Sequence, residues 1–173
     1  MKEFKIKLFK EENSGDMQYS ELKDGELNLF KNSLKSLVKY KFTSDSCADF
    51  FNYLDNNLNY WKTFNDIDDP DLFTEISKDL KLDQNGGESD VYIVWRYPDE
   101  IDKFKLITLK NYWDYIWYSA SDDAIVLVVP EKSAVILVTH YGDIKTNFPF
   151  AAESPASGTP RDDDKLNGQR KSM

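Results

Sequence analysis

The sequence predicts an α+β fold in which N-terminal helices pack on a mainly antiparallel sheet built from the C-terminal half of the chain. Apolar residues recur at helical spacing before residue 81, whereas β-branched and aliphatic residues form near-continuous runs after residue 90. With 173 residues, 40% of them hydrophobic and 14% aromatic, the chain has enough apolar surface for one core. We predict a single domain over residues 1–150. Proline, glycine and charged residues then replace apolar ones, which predicts a disordered tail over 151–173.

The N-terminal half is predicted to contain one edge strand and three helices. Residues 3–9 alternate between apolar and charged side chains, which is the period of a half-buried strand. Ser44 or Asp45 is expected to cap the second helix, and Asp69 followed by Pro70 to begin the third. The three helices are indicated by apolar side chains at helical spacing: Leu27, Phe30, Leu34, Leu37 and Val38; Phe50, Phe51, Leu54 and Leu58; Leu72, Phe73, Ile76 and Leu80.

The C-terminal half is predicted to supply the sheet. A turn at 97–99 and a four-residue loop at 130–133 are expected to join strands in pairs. The aromatic segment 110–118 is predicted to be a short helix, because its large side chains would share one face. The last two strands are almost wholly apolar, which is typical of central strands covered on both faces. The four strands are expected at 91–95, 104–109, 124–129 and 134–139.

The negative charge of the chain is concentrated in its middle third. The net charge is −9, and residues 44–102 alone hold fifteen acidic and four basic side chains. Such a surface would repel phosphate, so direct nucleic-acid binding is not expected and a cationic protein partner is favoured. The alternative is that these acidic residues only keep the protein soluble.

No residue pattern predicts an enzyme, a metal or a cofactor. The seven glycines lack the spacing of phosphate or dinucleotide loops, and His140 and Cys47 are the only residues of their kinds. The run at 65–71, NDIDDPD, fails as a calcium loop and suits a helix N-terminus. Carboxylates that meet in the fold for acid–base chemistry stay an open alternative. The lone cysteine, with no signal-like or membrane-spanning apolar stretch, favours a cytoplasmic protein.

Residues 117–144, WYSASDDAIVLVVPEKSAVILVTHYGDI, carry a resemblance. An aromatic pair, a Ser-Asp-Asp strand start, a hairpin and a returning strand that closes on His-x-Gly resemble the C-terminal half of small bacterial immunity proteins. These proteins neutralise polymorphic or contact-dependent toxins, and the SMI1/KNR4-like superfamily is among them. Asn85-Gly86-Gly87 is similar to a motif of that superfamily, although Asp69-Pro70-Asp71-Leu72 replaces its Pro-x-x-Tyr helix start. The resemblance implies a cytoplasmic inhibitor that covers the active site of a toxin, often a basic nuclease.

Partner contacts are expected from acidic and aromatic side chains. The acidic side chains would attract the partner during association, and the aromatic ones would be buried in the interface. The alternative is that the tryptophan among them closes the core and that the aspartates are only solvated. Two rival functions stay open, a small carboxylate-based hydrolase and an acidic regulatory adaptor that mimics nucleic acid. The oligomeric state is not predicted. The candidate contact residues are Trp61, Asp66, Asp68 and Asp69, followed by Asp122 and Asp123.

Overall fold

The computed structural model describes residues 1–40, 46–82 and 86–148. Within them the chain forms five α-helices and one seven-stranded sheet. The helices are α1 (Glu3–Glu12), α2 (Asp24–Leu37), α3 (Cys47–Asn57), α4 (Leu72–Asp79) and α5 (Leu106–Ile116). The strands are β1 (Tyr19–Glu21), β2 (Asn59–Thr63), β3 (Asp90–Arg96), β4 (Glu100–Lys105), β5 (Ala124–Val129), β6 (Ala134–Thr139) and β7 (Asp143–Thr146).

All strand pairs in the sheet are antiparallel, and the strand order is β1-β4-β3-β5-β6-β7-β2. Helices cover both faces, with α1, α4 and α5 on one and α2 and α3 on the other. Side chains along β5 and β6 alternate between the two resulting cores, so both strands are buried on both sides. The predicted α+β class, the antiparallel sheet and the two central strands are therefore confirmed.

Residues 3–9, predicted to be an edge strand, belong to helix α1, so that prediction is wrong. The inward residues of this helix are Lys5 and Phe9, four positions apart, while Phe4 is 47% exposed. The alternation of apolar and charged residues was misleading, because the strand prediction assumed that the lysines face solvent. Here one lysine points into the protein and an apolar neighbour points out.

The strand predicted over residues 104–109 is also wrong after Lys105, where β4 ends and α5 begins. The amides of Leu106 and Ile107 donate to the carbonyls of Ser89 and Gly87, at 2.9 and 3.0 Å. The loop before β3 thus provides acceptors for first-turn amides that have none within their own helix. A contact distant in sequence decides the helix start, and no local pattern signals it.

Two helix starts differ from their predictions in different ways. Helix α4 begins at Leu72 with Asp71 at the N-cap, two residues later than predicted, and Asp69 instead accepts a hydrogen bond from the Asp71 amide at 2.8 Å. Helix α3 is capped by Ser46, whose hydroxyl accepts from the Asp49 amide at 3.3 Å. The expected caps, Ser44 and Asp45, lie outside the described residues, as does the predicted tail.

The burial of Ile136 in the middle of β6 gives the first testable prediction. Its side chain is fully buried. Burying one isoleucine contributes about 1.5–3 kcal/mol to a total stability of about 5–15 kcal/mol, and an unpaired carboxylate there would cost more. We expect Ile136→Asp to be insoluble or unfolded by circular dichroism, while Ile136→Val loses only about 0.5–1.5 kcal/mol. A cooperative melt at the wild-type temperature for the aspartate variant would contradict the strand assignment.

Candidate functional site

Three loops meet at one end of the sheet, because β2 and β6 end where β5 and β7 begin. The loops are residues 64–71, which follow β2; residues 117–123, which precede β5; and residues 140–142, which join β6 to β7. We call this surface the three-loop end. It contains most of the residues that the sequence marked as partner contacts.

Each of these loops is hydrogen-bonded to the other two. The Asp68 carboxylate accepts from the amide and the hydroxyl of Ser119, at 3.0 and 2.6 Å. The Phe64 amide donates to the Gly142 carbonyl at 3.0 Å, and the His140 amide donates to the Asp123 carbonyl at 3.0 Å. The three-loop end is therefore held by specific contacts rather than left as independent loops.

Loop 64–71 presents four exposed aspartates, Asp66, Asp68, Asp69 and Asp71. Two of them also shape the loop, since Asp66 accepts from the Asp68 amide at 3.2 Å and Asp69 from the Asp71 amide. Within the described residues, no lysine or arginine forms an ion pair with any of the four. Their charge is thus directed to solvent.

Much of the remaining acidity of the middle third is neutralised elsewhere. Asp55 pairs with Lys145 at 2.6 Å, Glu75 with Lys62, and Glu100 with Arg96 at 3.0 Å. Asp90 contacts two lysines at 2.9 and 3.2 Å, and buried Asp102 contacts the amino group of Met1. After these pairings the densest unpaired negative charge among the described residues of this segment lies in loop 64–71.

Trp61 lies on β2, half-buried, with its ring edge-on to Phe64 at 6.1 Å and packed against the core. The exposed aromatic rings near the three-loop end are others that sequence reasoning missed. Tyr141 is 77% exposed, and Phe4 lies edge-on to the half-buried Tyr118 at 5.8 Å. Tyr141 stands next to a hairpin glycine, a signal that marks an exposed turn, whereas Phe4 was hidden by the wrong strand prediction.

Asp123 is exposed, but its neighbour Asp122 is only 6% exposed and lies beneath the three-loop end. Its carboxylate contacts the ammonium groups of Lys5 at 2.5 Å and Lys2 at 2.9 Å. Burial lowers the pKa of the Lys5 ammonium, against the raising effect of its contact with Asp122. Of the six candidate residues, Asp66, Asp68, Asp69 and Asp123 share the surface, while Asp122 and much of Trp61 support it.

His140 follows the end of β6, with Nδ1 3.1 Å from the Asp123 carbonyl oxygen. Cys47 is the first residue of α3 and is partly exposed. In the described part of the chain, His, Cys, Asp and Glu side chains nowhere gather in threes in a way that could hold a metal ion. No described helix is both long and apolar enough to cross a bilayer.

No protein-family model, curated protein or solved structure matches the chain.

The contact between Gly142 and Phe64 gives a prediction about how the three-loop end is held. Gly142 has φ +87°, and a Cβ added to it would lie 2.1 Å from the Phe64 carbonyl oxygen. We expect Gly142→Ala to lose roughly 2–4 kcal/mol of unfolding free energy through strain and a broken hydrogen bond, measured by urea titration.

The matched control is Gly25→Ala. Gly25 lies in the first turn of α2 and has open space around it. This substitution should keep or slightly raise the stability, by about 0.4–1 kcal/mol. Equal stabilities for the two variants would show that Gly142 does not hold loop 64–71 in place.

Proposed function

We propose that this chain is an immunity-type inhibitor, which binds a cationic toxin domain through the three-loop end and neutralises it. The observation that carries the proposal is the geometry of that end. Its three loops are mutually hydrogen-bonded, and two of them, 64–71 and 117–123, present exposed aspartates that no described lysine or arginine neutralises. A fixed anionic surface favours a cationic partner, because its charge is in place before the encounter and little order must be gained on binding.

Aromatic side chains beside the charge add to the fit with a protein partner. Tyr141 lies within the three-loop end, and Phe4 packs against Tyr118, which belongs to the 117–123 loop. Aromatic residues are enriched at the centres of protein interfaces, where they bury large areas and lose little side-chain entropy. Tyr141 and Phe4 are thus the anchors that we propose, in place of Trp61.

The choice of a toxin as the partner rests on the resemblance of residues 117–144 to bacterial immunity proteins. That segment supplies two of the three loops, 117–123 and 140–142. It thus covers much of the proposed binding surface as well as the central hairpin. An inhibitor of this kind needs no catalytic group, only a surface that blocks access to the active site of the toxin.

The proposal is tested by growth rescue. Toxin domains encoded beside this gene would be expressed in bacteria with and without the chain, and survival measured. We expect the chain to restore growth against one such domain and to bind it as a stable complex without modifying it. The proposal would be contradicted if the chain protected against none of these domains, or if the purified chain turned over a substrate.

The role of the charge is tested with the double variant Asp66→Asn/Asp68→Asn in the complex found by rescue. The association rate measured by stopped flow at low salt should fall by about tenfold. This difference should shrink as salt is added, because the Debye length falls to about 3 Å at 1 M.

A control with the same change in charge is Asp79→Asn/Glu88→Gln. Both residues are exposed, Asp79 at the far end of α4 and Glu88 shortly before β3. This control should associate at nearly the wild-type rate. If both double variants slow association equally, net charge rather than the three-loop end governs binding.

A further inference from the structure

We propose that Lys5 is a positioning residue for the three-loop end, and that it fixes the 117–123 loop from below so that Ser119 meets Asp68. This inference deepens the proposed function and rests on it for its meaning. Lys5 would thus be a cation that organises an anionic surface. A chain of contacts leads from α1 to loop 64–71.

The Lys5 ammonium bridges the two ends of the 117–122 turn. Its Nζ donates to the Ile116 carbonyl at 2.6 Å, at the last residue of α5, and to the Asp122 carboxylate at 2.5 Å. The group is fully buried and lies 4.4 Å from the centre of the Trp95 ring. One side chain from α1 thus fixes both the start and the finish of the turn.

The turn transmits this position to Ser119. The Asp122 carboxylate accepts from the Tyr118 amide at 3.1 Å, and the Asp122 amide donates to the Tyr118 carbonyl at 2.9 Å. Ser119 is the next residue, and both of its donors are directed at Asp68. Lys5 is therefore connected to loop 64–71 through an ion pair, hydrogen bonds and the peptide bond between Tyr118 and Ser119.

Stability alone is a poor reason for burying this lysine. Removing two charges from water is costly, and a buried ion pair is often no more stabilising than apolar side chains of similar size. Burial is also the dominant influence on the Lys5 ammonium and lowers its pKa despite the nearby carboxylate. Unlike an apolar contact, the Lys5 ammonium provides directional hydrogen bonds to Ile116 and Asp122.

The sign of the charge makes the inference testable. Replacing Lys5 by methionine makes the protein more negative, so simple attraction predicts equal or tighter binding of a cation. A positioning role for Lys5 predicts weaker binding, because the 117–123 loop, which contacts Asp68 through Ser119, loses its support. Lys7→Met is the matched control, since Lys7 is on the same helix, is 76% exposed and has only a 3.8 Å contact with Glu11.

The probe is a fluorescently labelled oligo-arginine peptide, and its affinity is measured by anisotropy at low salt. We expect Lys7→Met to bind at least as tightly as the wild type, and Lys5→Met roughly fivefold or more weakly. Hydrogen exchange at the Ser119 amide, followed by NMR, should become faster in Lys5→Met but not in Lys7→Met. Wild-type exchange at Ser119 together with affinity equal to that of Lys7→Met would overturn the proposal.

The double variant Lys5→Met/Asp122→Asn keeps the net charge of the wild type and leaves no unpaired buried charge, so it tests the proposal even if Lys5→Met does not fold. We expect weaker peptide binding and faster Ser119 exchange at unchanged charge; wild-type values of both would refute the role of Lys5. If the wild-type protein itself does not bind the peptide, the cationic-partner function fails. The exchange at Ser119 would still decide the positioning role separately.

Discussion

The buried ion pair between Lys5 and Asp122 is the interaction on which we propose that the three-loop end depends. It attaches the N-terminal helix to the loop before β5, two segments separated by more than a hundred residues. The Asp68–Ser119 contact then carries the connection to the loop after β2. Helix α1, the sheet end and the acidic loop are thus parts of one hydrogen-bonded structure.

The sequence predicted the features that depend on apolar periodicity and missed those that depend on long-range polar contacts. Helices α2, α3 and α4 and strands β5 and β6 follow from their spacing of apolar residues, because those residues form the two cores. Helix α1 was missed since one of its two inward residues is a lysine whose partner lies far away in sequence. Strands β1, β2 and β7 have three to five residues and few buried side chains, so their pattern is too short to identify.

The surface position of the candidate contact residues could be predicted from the sequence only in part, for a similar reason. An excess of aspartate in residues 66–71 is visible in the sequence, and the structure leaves those side chains exposed and without ion pairs among the described residues. Asp122 and Asp123 look equivalent as neighbours in sequence, yet one is buried against Lys5 and the other is exposed. Only the fold separates the aspartate that supports the surface from those that form it.

The most direct measurement of the central claim is NMR mapping of the isotope-labelled chain during titration with an oligo-arginine peptide at low salt. If the three-loop end is the binding surface, amide shifts should concentrate in residues 64–71, 117–123 and 140–142 and disappear as salt is raised. Shifts spread evenly over acidic residues around the whole molecule, including Asp79 and Glu88, would contradict the account.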